Sequence, residues 1–143
     1  MLFMVKFNKI LVPLDGSTNS LRGLNKAIDI AKVSGAEITG LYVFHLPIAA
    51  GIKYSQKMKE QAQQKATKAI GPAMKKVKQA GLGFQYKTTG GNVGSNIVKT
   101  ANSGKFDMVV IGARGLGAAK EAFLGSTSHH VLHKAKVPVL VVK

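Results

Sequence analysis

No cysteine occurs among the 143 residues, which rules out a disulfide framework and a thiolate-held metal. A cysteine-free chain fits a reducing compartment. Long apolar runs are missing too. The opening Met1-Leu-Phe-Met-Val5 is five residues long with no cleavage pattern behind it, too short for a signal-peptide core or a membrane span. The expectation is a soluble, cytoplasmic protein that does not engage a membrane. Acidic side chains are scarce, 6 Asp+Glu against 21 Lys+Arg, for a formal net charge of +15. No Gly-x-x-x-x-Gly-Lys-Ser/Thr sequence is present, and no Gly-x-Gly-x-x-Gly opens the first helix. P-loop and dinucleotide sites are therefore poor readings. Nor does a Gly-x-Ser-x-Gly elbow supply a nucleophile. There is no internal repeat, linker or low-complexity tract.

What is present reads as one folded domain. Hydrophobic residues make up 45% of the chain, enough to build a core at this length. Two periodicities alternate along it. Lys9–Leu14 is a short apolar run, and Asp15–Thr18 a turn feeding a helix cap. Leu21, Leu24, Ile28 and Ala31 follow at helical spacing and stop before Gly35. Glu37–Phe44 reads as a second strand and His45–Ser55 as a surface loop. A long lysine-rich helix to about Ala80 carries its apolar side on Met58, Ala62, Ala66, Ile70, Met74 and Val77. Pro72 predicts a kink or break near Gly71. Gly83–Thr88 is a third strand, Ser95–Asn102 a short helix, and Met108–Ile111 a strand buried on both faces. A helix over Ser126–Lys134 and a strand over Val139–Val142 close the chain.

Five strands with four intervening helices imply an α/β fold: a single doubly wound domain, with a parallel sheet covered by helices on both faces. Such sheets take ligands beyond the carboxyl ends of their strands, where the winding reverses. The polar, glycine-bearing turns Asp15–Thr18 and Gly112–Ser126 line one crevice if strands one and four are neighbours.

The segment Gly112–Ser128 carries the chemistry. Gly112 directly follows a buried strand and lets the chain turn out beside a ligand. Gly125 opens the last helix, whose free N–H groups and dipole favour an anion. The hydroxyls of Ser126, Thr127 and Ser128 either bind that anion or cap the helix.

Gly112-x-x-Gly115, nine residues, then Gly125-Ser126 resembles the nucleotide-binding signature of the universal stress protein family. Lys9-Ile-Leu-Val-Pro-Leu-Asp-Gly-Ser17 is similar to that family's opening strand and turn, and Val137–Val142 to its closing strand. The likeness extends over nearly the whole chain. It departs at Gly91-Asn-Val-Gly-Ser95, where many relatives have Gly-x-Pro/Ala.

The resemblance implies a five-stranded sheet in the order 3-2-1-4-5. It implies that Pro13, Leu14 and Asp15 sit at the base and ribose end of an adenine nucleotide. Val43 would meet the adenine edge through its backbone. Gly112, Arg114 and Gly115 would lie against ribose and phosphates, and Gly125, Ser126, Thr127 and Ser128 would hold the phosphate tail. ATP would bring Mg²⁺ or Mn²⁺ with it, and the homodimer would form through Val139–Val142, an apolar edge suited to pairing across a two-fold axis.

Other features weigh less. Asp15 has no partner acid or base in its motif, so it is a ligand contact or a turn aspartate, and no catalytic residue is assigned. Arg114 either pairs with phosphate or faces solvent. His129, His130 and His133 share one helix without a carboxylate or cysteine, which favours a helix surface over a metal site. Nine lysines and one acid, Glu60, fall between Lys53 and Lys87. That face is either plain solvated surface or attracts nucleic acid or another polyanion. Tyr54 and Phe84 interrupt it too sparsely for a stacking platform. The leading functional expectation is an ATP-binding stress-response or signalling module. A slow ATP hydrolase or phosphotransferase is the alternative, and a nucleic-acid or polyanion binder the next.

Overall fold

In the computed structural model, residues 7–45, 55–114 and 124–143 are described. The elements run β1 (Lys9–Pro13), α1 (Thr18–Ser34), β2 (Glu37–His45), α2 (Gln56–Gln79), β3 (Phe84–Gly91), α3 (Val93–Ser103), β4 (Met108–Gly112), α4 (Ser126–Lys134) and β5 (Val139–Val142). All strands are parallel, in the order β3-β2-β1-β4-β5. Ile10 aligns with Met108 and Leu11 with Val109, so β1 and β4 are neighbours, as the crevice requires.

Strand side chains alternate between two cores because successive Cβ atoms point to opposite faces. Ile10, Val12, Met108 and Val110 pack with Leu24, Ala27 and Ile28 of α1 and with Ile70, Ala73 and Val77 of α2. Leu11, Val109 and Ile111 pack on the other face with Ile97 and Ala101 of α3 and Val131 of α4. The chain thus covers one face on its way out to β3 and the other on its way back. That switch opens the crevice between β1 and β4.

Several boundaries differ from the sequence expectation. α3 starts at Val93, ahead of Ser95, because the Asn92 side chain caps it by accepting from Ser95 N at 2.9 Å. β3 continues past Thr88 to Gly91 by pairing with the extended end of β2. α2 does not break at Gly71: it is helical from Gln56 to Gln79 with Pro72 inside, its ring exposed. The alanine-rich underside Ala66, Ala69, Ala73 seats the helix closely on the sheet, and tertiary contact overrides the local propensity. Met58 is 42% exposed and not part of the apolar side. The loop expected at His45–Ser55 falls largely outside the described residues. Among the described residues no helix is long and apolar enough to cross a membrane.

Candidate functional site

The β1 exit is stiffened by local hydrogen bonds. Leu14 N donates to Leu41 O at 2.8 Å, prolonging the β1–β2 pairing by one bond, while the Leu14 side chain is buried on the α1/α2 face. Pro13 is buried beside it. The Asp15 carboxylate accepts from Ser17 N at 2.8 Å, an Asx turn that Gly16 completes at φ +85°. Ser17 then caps α1, its hydroxyl accepting from Ser20 N at 3.1 Å. Asp15 is half-buried and held in place by this turn.

β2 outruns β1. Its backbone bonds alternate sides: Glu37 N donates to Asn8 O toward β1, and Ile38 N donates to Gly83 O toward β3. Pro13 is the last β1 residue in register, opposite Leu41, whereas β2 continues to His45 opposite Gly91. The alternation therefore turns the Val43 N–H and C=O toward the β1 side, beyond the end of β1. This presents a donor and an acceptor side by side, the complement of one edge of adenine. The Val43 side chain points away into the α3/α4 core and is buried.

The β4 exit lies beside both. Ala113 N donates to Val142 O at 2.8 Å. The Ala113 carbonyl accepts from Gly125 N at 2.7 Å and from the Ser128 hydroxyl at 2.6 Å. Residues 113 and 125 are thereby pinned together. Gly125 is the N-cap of α4 and makes no side-chain cap bond, leaving the first-turn N–H groups directed out of the helix. Ser126 is exposed, Thr127 half-buried and Arg114 half-buried. Ser128 is 2% exposed, and its hydroxyl also bonds Gly125 O at 3.1 Å, so it fastens α4 to β4 instead of facing a ligand. Gly115 lies outside the described residues.

Gly112 has a packing reason that the sequence reading did not contain. A Cβ there would stand 2.5 Å from Asn19 O and 2.8 Å from Asn19 C. Gly23, one turn on, would bring its own Cβ to 3.2 Å from Gly112 N. Two glycines let the start of α1 rest on the backbone of the β4 exit. This draws the start of α1, just after the Asp15 turn, against the β4 exit at Gly112. Asn19, Gly23 and the Ala113 carbonyl escaped sequence reasoning because each contributes backbone, which leaves no motif. A glycine eight residues beyond the Asp15 turn was the available clue.

Electrostatics single out Tyr42. Burial and, secondarily, the negative charge of Asp15 raise its phenol above the ordinary value of 10.0. Its ring stacks edge-on against Phe44 at 5.3 Å between centroids. On α4 the His129 and His133 rings lie 4.4 Å apart, yet no group of three metal-ligating side chains forms among the described residues. Tyr86, which shares the lysine-rich stretch with Tyr54 and Phe84, is 54% exposed on β3.

The sequence model of the universal stress protein family matches residues 6–143. A curated relative, universal stress protein MJ0531 of Methanocaldococcus jannaschii, is 32% identical over 96% of this chain and 82% of its own. Among solved structures, that of hypothetical protein MJ0577 superposes with a TM-score of 0.86 at 26% identity, covering 97% of both chains. The crystal structure of a universal stress protein in complex with cAMP superposes at 0.73 with 26% identity, covering 95% of this chain and 97% of that one. Sequence, strand order and superposition agree: the chain belongs to the universal stress protein family.

Proposed function

We propose that this protein is an ATP-binding stress-response or signalling module, its nucleotide lying across the carboxyl ends of β1, β2 and β4. The observation that carries the reading is the Val43 backbone edge, turned past the end of β1 beside the Asp15 turn. The cAMP complex of a relative supports an adenine nucleotide as the ligand class.

In this reading the base pairs with the Val43 N–H and C=O, against Pro13 and Leu14. Asp15 faces the ribose, and Gly112, Arg114 and Gly115 accompany the ribose and phosphates. The phosphate tail ends on Gly125, Ser126 and Thr127 at the α4 N-terminus, where N–H groups and helix dipole favour negative charge. Ser128 acts from behind, by keeping α4 on the Ala113 carbonyl. Mg²⁺ or Mn²⁺ comes with the phosphates and needs no protein cage. A nucleotide that prefers one conformation shifts the population toward it by its differential affinity, which is how a binder without turnover signals. The module acts as a homodimer, paired through the half-exposed edge strand β5.

Calorimetry with ATP and Mg²⁺ tests the assignment. Micromolar-scale binding is expected in the wild type and none in Gly115→Val, whose side chain would occupy phosphate space. Unchanged binding by a folded Gly115→Val protein removes the loop from the site.

A further inference from the structure

The two helical layers differ in charge. α1 and α2 together carry ten basic side chains, Arg22, Lys26 and Lys32 on α1 and seven lysines on α2, against the two acids Asp29 and Glu60. All ten are exposed, and Asp29 is occupied by Lys26 at 3.8 Å. The opposite layer, α3 and α4, carries Lys99 and Lys134 as its lysines. The excess is therefore a slab on one side of the sheet.

α2 organises that slab. Its core contacts are Ala66, Ala69, Ile70, Ala73 and Val77. At 100° per residue, Lys57, Lys68 and Lys75 fall on the line diametrically opposite. They are separated by about 16 Å and 10 Å along the axis, from a rise of roughly 1.5 Å per residue. Lys65 and Lys76 flank this ridge on one side and Lys78 on the other. The remaining exposed positions from Gln64 to Gln79 are Gln64, Thr67, Gly71, Pro72 and Gln79. No aromatic or large aliphatic side chain is exposed among them; elsewhere on the layer Met58 of α2 is 42% exposed and Val33 of α1 92%. Protein interfaces concentrate their affinity in clustered aromatic and large apolar anchors, and two exposed aliphatics on separate helices, set among ten cations, do not form such a cluster. Among the described residues it equally shows no base-reading loop or stacking platform. What remains is a straight row of flexible cations, suited to the phosphates of a duplex without regard to sequence.

We infer that the α1/α2 layer, centred on the Lys57–Lys68–Lys75 ridge, binds the phosphodiester backbone of duplex nucleic acid non-specifically. The nucleotide crevice lies at the strand ends, so the two activities are separable.

The test is fluorescence anisotropy of a labelled random-sequence 30-base-pair DNA duplex between 50 and 250 mM KCl, with ATP affinity measured in parallel. Binding should weaken with a log–log slope of about −3 to −5, from roughly −0.9 per phosphate neutralised. Lys68→Glu/Lys75→Glu should weaken binding at least tenfold at 50 mM KCl and flatten the slope by about 2, with ATP affinity within threefold of wild type. Lys99→Glu/Lys134→Glu, on the other layer, should change DNA affinity less than threefold. If the double Glu variant fails to fold, Lys68→Gln/Lys75→Gln serves with a smaller loss. Absence of binding at 50 mM KCl, or equal losses from both pairs, overturns the inference. So does displacement of the duplex by polyglutamate at equal charge concentration, which would assign the face to acidic proteins. ATP binding that fails while DNA binding persists would sink the proposed nucleotide site and leave this inference standing.

Discussion

The helix crossing at α1 over β4 and the helix seat at α2 over β2 and β3 lie on the same face of the sheet and obey opposite rules. At the first, glycine meets glycine and the backbones touch, so a single methylene has nowhere to go. At the second, alanines make a close underside while the outer surface stays open: a Cβ on Gly71 would meet nothing within 4 Å. The crevice is fixed where tolerance is lowest, and the lysines sit where it is highest. Position within the fold thus separates residues that composition alone treats alike.

Substituting Gly112 should break that comparison most severely. Gly112→Ala sets a Cβ against Asn19 backbone atoms, which cannot rotate aside as a flexible side chain would. A loss of about 3 kcal/mol, the upper end of overpacking costs, is expected from urea denaturation. A loss under about 0.5 kcal/mol would mean that α1 does not rest on the β4 exit as described.

The tolerant region should respond in the other direction. Pro72 interrupts the exposed side of α2 and leaves Lys68 O without its usual intrahelical donor. Pro72→Ala should stabilise the protein by about 1–2 kcal/mol, because the helix-interior penalty of roughly 3 exceeds the entropy that proline removes from the unfolded chain. Destabilisation on the same assay would show that α2 depends on the proline ring.

The smallest effect lies at Tyr42. Its phenol is raised by burial first and by Asp15 second, so the fold favours the neutral form. The unfolded chain loses that proton first, and stability held below about pH 10 declines as pH climbs beyond it. An ultraviolet phenolate titration should place Tyr42 above the ordinary value of 10.0. Asp15→Asn should narrow that gap without closing it, since burial persists. A gap unmoved by Asp15→Asn would separate Tyr42 from the Asp15 turn.

Most of this architecture was legible in the sequence because alternating and helical periodicities seldom overlap here. Met108–Ile111 could only be a strand buried on both faces, and the Asp15–Ser17 cap announced α1. Pro72 does not end α2, because the alanine seat beneath it outweighs the local propensity for a break. Within the candidate site, glycines and hydroxyls stood out as residue types, yet their roles did not. Ser128 looked like a phosphate ligand and instead bonds the Ala113 carbonyl. Gly112 looked like a place for a ligand and is also where α1 lands. Backbone groups such as Val43 N–H and Ala113 C=O are the same in every residue, so residue type points to neither: Val43 entered through the family resemblance alone, and register and strand length show where its backbone faces.

The central claim, that an adenine nucleotide pairs with the β2 edge past the end of β1, is tested most directly by the amide spectrum. In a ¹⁵N-labelled protein titrated with ATP and Mg²⁺, the Val43 amide should show one of the largest shifts, together with Gly125 and Ser126. The α2 amides from Lys65 to Lys78 should stay in place. Shifts concentrated on α2 with Val43 unmoved would contradict the account and give the nucleotide to the lysine face.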